Sequence, residues 1–373
     1  MRICILANPN NIHAQRWAMS FSQKNYDVHF IGEHSLNRSF PEKIPLYNLA
    51  TGFNIRKIRY IFWMTDIKRL IKKIKPDILH AHGVASASWL GAASGFRPLL
   101  VTAHGSDLLL LDQRSWLHQN LSKWALHKAD YITCVSPELA DRARALGVAT
   151  DRVEVANLGV DTNVFMPNPD SHSLRKRLGL KGNPLILSLR AIKDIYNPFD
   201  IVMSLPEILK AAPDAAILFF TYNADPDILA KVQRYLIDKR LIENIYFIRG
   251  SEDDRTIAQY YQACDIAISV PSSDGTPLSV LEAMASELPV VVSNLPWLQD
   301  WITHEENGMI IPPGDIEALI HTTLQLAADP DLRHSIGFTA RKTVCQLADR
   351  NRCIQHYERL YADLCHKITK QKR

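Results

Sequence analysis

Residues 265–292 read DIAISVPSSDGTPLSVLEAMASELPVVV, and this stretch decides how the whole chain is read. Residues 265–270 form a short apolar run suited to a buried strand, and PVVVS (289–293) is another. Between them lies a turn rich in Ser, Asp, Gly and Pro, followed by Leu278, Leu281, Ala285 and Leu288 at helical spacing. Strand, turn, helix and strand in immediate succession make one unit of a parallel sheet. Thr276 is expected to cap the helix, with Pro277 at its first position. The amides of Gly275, Thr276 and Leu278 then form a helix-start site for phosphate. Asp274 and Glu282 flank that site. A carboxylate there does not serve phosphate; it accepts hydrogen bonds from hydroxyls, as from a ribose diol. Two hydroxyl-bearing groups with phosphate between them describe a sugar nucleotide.

The same rhythm runs outward in both directions. In the first half the apolar runs are ICILA (3–7), VHFIG (28–32), DILHAH (77–82), LLVTAH (99–104), YITCVS (131–136) and VEVAN (153–157). A polar stretch at 166–184 interrupts them, and LILSL (185–189), AAILFFTY (215–222), IYFIR (245–249) and GMIIP (308–312) resume the pattern. Continuous apolar strands separated by helices predict parallel sheets covered on both faces. The expected architecture is α/β: two doubly wound, Rossmann-like domains facing a cleft, over 1–167 and 168–350. A terminal helix within 351–373 is expected to cross back onto the first domain. Ligands bind such sheets at the carboxyl ends of the strands, so the strand-to-helix turns carry the chemistry.

Composition narrows the function. The 373 residues are 47% hydrophobic and 22% charged, with a net charge of +4, which argues against a nucleic-acid binder. Residues 1–167 hold 20 Lys and Arg against 13 Asp and Glu, while the remainder hold 23 against 26, so an anionic partner is expected for the first half. The six cysteines show neither CxxC pairs nor metal-ligand spacing with His, which implies a reducing cytoplasm without disulfides or structural zinc. The chain opens directly into a strand, so no signal peptide is expected, and no apolar run reaches transmembrane length.

Arg190 ends a strand-like run, where its guanidinium could engage diphosphate oxygens and stabilise a leaving group. Lys193 follows three residues later, placed either to add a second cation or to point into solvent. Considered together, D-x7-E (274–282) before AMA and PVVVS, VTAHGSDLLLL (101–111), VSPELADRARALGV (135–148), VEVANLGVDTNVFMP (153–167), LSLRAIKDIYNP (187–198) and ENGMIIPPGDIEALI (306–320) resemble the retaining GT-B glycosyltransferases of the group 1 family over nearly the whole chain. The resemblance implies that Asp274 bonds the donor sugar's hydroxyls and Glu282 the nucleoside ribose. It implies that His104, in the HG turn, contacts the donor sugar near the reaction centre, with Gly105 letting backbone approach closely. It assigns donor contacts to Arg190, Lys193, Gly275, Thr276, Pro277 and Leu278. Relatives usually carry a Lys about five residues after the arginine, where this chain has Ile195, Tyr196 and Asn197. Glu287 stands where many relatives have Gly.

The first turn offers Asn8, Asn11 and His13 at the mouth of a strand where an acceptor would sit. Arg16 and Trp17 beside them either bind acceptor or pack. Asp107 is expected to cap the helix after the HG turn, and Asn157 and Gly159 to shape the crevice before the linker. Residues 55–75, IRKIRYIFWMTDIKRLIKKIK, hold eight Lys or Arg against one Asp, with Tyr60, Phe62 and Trp63 among them. That pattern is either a solvated helix or an interfacial surface for an anionic membrane.

The expected activity is transfer of a sugar from a nucleoside-diphosphate donor to an acceptor hydroxyl with retention, in surface polysaccharide, lipopolysaccharide or glycolipid assembly. The acceptor is a saccharide or a lipid-linked one. No DxD-type carboxylate pair occupies a suitable turn, so no metal and no other cofactor is expected. Rival readings are a sugar-nucleotide epimerase, a phosphorylase and a sugar-nucleotide-binding module with impaired activity.

Overall fold

The structure is a computed structural model that describes residues 1–34, 36, 39–49, 56–250 and 253–371, without the side chains of 56–61, 299 and 371. The chain divides into two compact units, Met1–Leu158 with Asn351–Arg373, and Gly159–Arg350.

The first unit is a seven-stranded parallel sheet in the order β3-β2-β1-β4-β5-β6-β7. Its strands are β1 Arg2–Ala7, β2 Asp27–Gly32, β3 Leu46–Asn48, β4 Ile78–His82, β5 Leu99–Ala103, β6 Tyr131–Cys134 and β7 Val153–Val155. All five residues of β4 and of β5 are buried, as helices on both faces require. The order reverses between β1 and β4, which makes their carboxyl ends a switch point.

The second unit is a six-stranded parallel sheet, β10-β9-β8-β11-β12-β13. Its strands are β8 Leu185–Ser188, β9 Ala216–Phe220, β10 Ile245–Ile248, β11 Ile266–Ser269, β12 Val290–Ser293 and β13 Met309–Ile311. Successive residues pack to opposite faces: Leu185 and Leu187 join one core and Ile186 the other, as do Val290 and Val292 against Val291. Here the switch point lies between β8 and β11.

The units change over at Leu158, nine residues before the expected boundary at 167. The reason is burial. Val160 and Phe165 are 0% exposed and belong to the second unit's core, so that core begins before the polar stretch at 166–184. The terminal helix, Arg350–Gln371, turns Ile354, Tyr357, Tyr361, Leu364 and Ile368 inward at three- and four-residue intervals. Tyr357 and Tyr361 are 0% exposed, and each large buried side chain contributes about 1.5–3 kcal/mol. Tyr361 also accepts a hydrogen bond from Trp17 Nε1 at 3.1 Å, so this helix is integral to the first unit. Trp17 therefore packs.

Candidate active site

In the second unit the site is built across the β8/β11 switch. Arg190 emerges after β8 and Asp274 after β11. Arg190 Nη2 lies 2.8 Å from Asp274 Oδ2, Nη1 donates to Ser279 Oγ at 3.0 Å, and the guanidinium carbon sits 4.3 Å from the centroid of the Tyr196 ring. Ion pair, hydroxyl and aromatic face together fix the plane of the guanidinium. The Arg190–Asp274 contact is close, yet its angle falls short of a hydrogen bond, which leaves Asp274 Oδ2 buried without a directed donor. Burial pushes the Asp274 carboxyl upward, opposed by Arg190 and by the amide of Gly275. The turns that carry these groups are tied together: Asn197, at φ 47°, donates to Val270 O, and Ser272 Oγ donates to Asn197 Oδ1.

Several expected roles are altered. The helix runs Leu278–Ala285, so Pro277 holds the cap position in extended backbone with no side-chain cap bond, and Thr276 lies outside the helix as a buried residue. The Gly275 amide bonds Asp274's own carboxylate. The first-turn amides of Leu278 and Ser279 remain to face an anion, since Val280 and Leu281 already donate to Pro277 O. Glu282, beside this helix start, is 4% exposed and accepts from Tyr261 Oη at 3.2 Å. Lys193 is half-buried in extended backbone before a 3₁₀ turn, Asp194–Tyr196. Tyr196 occupies the guanidinium face in the region where relatives of the resembled family carry a lysine.

Glu287 acquires a structural reading. Its φ is 61°, left-handed, and it ends the helix while Leu288 N donates back to Ala283 O. Any Cβ at Gly337 would fall 2.0 Å from Glu287 O, which explains glycine at 337.

In the first unit the carboxyl ends of β4 and β5 bring three histidines together. His82 Nδ1 lies 3.2 Å from His104 Nε2, and the rings stack at 5.3 Å. His80 sits below, with Nδ1 on Tyr361 Oη and Nε2 on Thr102 Oγ1, both at 2.6 Å. Burial depresses all three imidazoles, opposed at His104 by Asp107, so they are neutral at pH 7. Gly105, at φ 149°, turns the chain after β5 as only glycine does readily. Asp107 is not the helix cap. Its carboxylate accepts from the amides of His104, Gly105 and Val84, at 3.2, 2.8 and 2.8 Å, and so ties the HG turn to the turn after β4.

The first turn also differs from expectation. Asn11 caps the helix Ile12–Gln23, its Oδ1 accepting from His13 N and Ala14 N. Asn8 Oδ1 likewise accepts from Asn10 N. His13 and Arg16 remain half-buried at this edge. Sequence reasoning missed Glu33, one residue past β2: it is 5% exposed, Oε2 has no hydrogen-bond partner, and burial pushes its carboxyl up to about 7, opposed by Ser86. It missed His82 too, whose HxH alternation in DILHAH was the available signal.

Of the basic stretch, Ile55 lies outside the described residues, and the Tyr60 side chain is not described. The helix Arg56–Ile74 buries Trp63, Ile67, Ile71 and Ile74 and exposes Phe62, Met64, Lys68, Arg69, Lys72 and Lys73. Trp63 therefore belongs to the core. Among the described residues no helix is long and apolar enough to cross a membrane.

Residues 2–136 match the family described as Glycosyl transferase 4-like, and residues 170–343 match Glycosyl transferases group 1. An N-acetyl-alpha-D-glucosaminyl L-malate synthase of Bacillus anthracis is 22% identical, with 92% of this chain and 91% of that protein aligned. Among solved structures, a sucrose-phosphate synthase of Thermosynechococcus elongatus superposes with a TM-score of 0.83 at 20% identity, covering 98% of this chain and 99% of that one. The Anabaena protein HepE, solved with UDP, superposes at 0.81 and 16% identity, over 98% of this chain and all of the other.

Proposed function

The chain belongs to the group 1 glycosyltransferases of GT-B fold, and from that premise we propose that it moves a sugar from a nucleoside-diphosphate donor to an acceptor hydroxyl, with retention and without a metal ion. The observation that carries this reading is the Arg190–Asp274–Ser279 cluster at the β8/β11 switch, beside the first-turn amides of Leu278–Ala285. A guanidinium held by three neighbours costs little to reorganise as charge grows on a departing diphosphate. The helix-start amides share that charge. Asp274 accepts hydrogen bonds from hydroxyls of the transferred sugar and Glu282 from those of the ribose, and His104 bonds an oxygen of the sugar. Departure of the diphosphate leaves positive charge at the anomeric carbon, and the acceptor oxygen adds on the same face while its proton passes to the departing diphosphate.

The acceptor is lipid-linked, and the enzyme works at an anionic membrane surface. Two helices of the first unit support this. Arg56–Ile74 exposes Phe62 and Met64 beside four cations, and Trp116–Lys128 exposes Trp116 at 76%, with Leu117, Trp124, Lys123 and Lys128 also outward. Exposed aromatic and basic groups such as these suit the headgroup boundary.

The test is a thermal-shift panel of nucleoside diphosphates and their sugars, followed by product mass and anomeric configuration with the donor that binds. One donor family stabilising the protein, and a retained glycosidic linkage on an acceptor, is the expected result. Donor turnover without any acceptor would replace this reading with an epimerase, and donor binding without turnover on any acceptor with a binding module.

A further inference from the structure

The line between His82 Nδ1 and His104 Nε2 is 3.2 Å long, and with both rings neutral it holds one proton. Two placements exist, and they differ at the outer nitrogens. If His104 donates, His82 accepts at Nδ1 and carries its own proton at Nε2. That nitrogen is buried, in a side chain 5% exposed, and has no hydrogen-bond partner. If His82 donates, its Nε2 holds only a lone pair, and His104 carries its proton at Nδ1. Orphaned buried N–H groups are the rarer kind of unsatisfied group.

The surroundings point the same way. His80, 4.1 Å from the His82 ring, already has both nitrogens engaged, by Tyr361 and Thr102, and cannot relieve an N–H on His82. Trp17 meets His82 at 6.2 Å, and its indole nitrogen, a donor only and engaged with Tyr361, offers no acceptor to an N–H on His82. Asp107 accepts from the His104 backbone amide at 3.2 Å. Among the described residues, His104 Nδ1 has no hydrogen-bond partner of its own.

We propose that His82 is a positioning residue that locks His104 as its Nδ1–H tautomer, so that His104 offers the substrate a hydrogen-bond donor and never a proton acceptor. The inference rests on the reading above for the identity of the substrate, and on the unliganded geometry for the tautomer. His82 touches no substrate; it acts through one shared proton. The role also fits the place of His82 at the first unit's switch point without a second partner, since a bare lone pair at Nε2 is a commoner unsatisfied group than an orphaned N–H.

The experiment is two-bond ¹H–¹⁵N correlation on the full chain labelled at histidine, at neutral pH, with His104 identified by signals lost in His104→Gln. The expected pattern is a protonated Nδ1 and a bare Nε2 on His104. A protonated Nε2, or an averaged mixture, overturns the proposal. In turnover, His82→Gln keeps an amide that can donate to His104, whereas His82→Phe cannot. The Phe variant should lose about three- to tenfold in kcat/KM, with nucleoside diphosphate affinity unchanged, and the Gln variant should recover most of it. Equal losses in both, with the tautomer unmoved, would overturn the positioning role. The tautomer is measured without substrate, so the two readings fail separately. An Nδ1–H protein that transfers no sugar contradicts the function alone, and an active protein with Nε2–H contradicts this inference alone.

Discussion

Replacing Asp274 by Ala should tighten the binding of free nucleoside diphosphate while abolishing use of the sugar donor. In the unliganded site Arg190 is occupied: Nη2 by Asp274 at 2.8 Å and Nη1 by Ser279 at 3.0 Å. A diphosphate must share or displace the carboxylate, and the two anions repel. The side chains of Arg190 and Asp274 are 15% and 16% exposed, so the pair is screened only in part. Removing one partner of a buried pair costs about 3–5 kcal/mol, because the other charge stays buried alone. Partial exposure here lowers that to about 2–3 kcal/mol. A diphosphate restores the missing counter-charge, and a charge-assisted hydrogen bond is worth about 1.5–3 kcal/mol, so affinity should rise roughly 10- to 100-fold. Titration calorimetry of Asp274→Ala with the diphosphate that stabilises the native protein reads this directly. The variant alone should melt earlier and recover with ligand. Asp274→Asn, neutral but still polar, should fall between. If Asp274→Ala binds diphosphate more weakly than the native protein, Asp274 holds Arg190 in its working position and does not compete with the ligand, and the reasoning fails.

Other consequences are open to measurement. Glu33 is raised from an ordinary 4.5 to about 7, so the folded state holds its proton more tightly; the resulting stability is complete below about pH 4.5 and is lost as pH rises towards 7. Glu33→Gln should therefore be more stable than native by about 3 kcal/mol at pH 8 and about 1–2 kcal/mol at pH 5.5, and a pH-independent difference in denaturant melts would refute the assignment. Glu287→Gly relieves a left-handed φ costing about 1–2 kcal/mol, against about 0.5–1 kcal/mol of added chain entropy, so a net gain near 0.5–1 kcal/mol should appear as a higher Tm; a loss would mean that the Arg341 contact at 3.9 Å outweighs the strain. Neutralising Lys68, Arg69, Lys72 and Lys73 should weaken binding to anionic vesicles by more than 100-fold at about 1 kcal/mol per charge, whereas Trp116→Ala should cause a smaller loss that persists in high salt. Unchanged sedimentation with vesicles in both variants would remove the membrane surface.

Much of the fold is visible in the chain because buried parallel strands are continuous apolar runs, and ICILA, LLVTA and PVVVS cannot be placed elsewhere without exposing them. β3 is not visible for the opposite reason: Leu46–Asn48 is short, half-exposed and at an edge, so nothing in its composition separates it from a loop. The changeover at Leu158 was obscured because the polar stretch that marks a linker, 166–184, starts only after Val160 and Phe165 have joined the second unit's core. The pairing of Arg190 with Asp274 joins residues 84 positions apart, and only the adjacency of β8 and β11 brings them together.

The site was harder to read than the fold, and the errors share one cause. A polar residue in a strand-to-helix turn faces backbone amides before it faces a ligand. Asn11 spends its oxygen on the amides of His13 and Ala14, Asp107 on those of His104, Gly105 and Val84, and Asn8 on that of Asn10. Sequence pattern places all three at the mouth of a strand and cannot tell whether any valence is left over. Arg190 differs because a guanidinium has five donors and two neighbours cannot exhaust them. Asp274 differs because one of its oxygens is paired by charge and not by a directed bond. His104 differs because His82 engages one ring nitrogen and leaves the other outward. A turn residue becomes a candidate for chemistry only after the backbone's claims on it are subtracted, and that subtraction requires the distances.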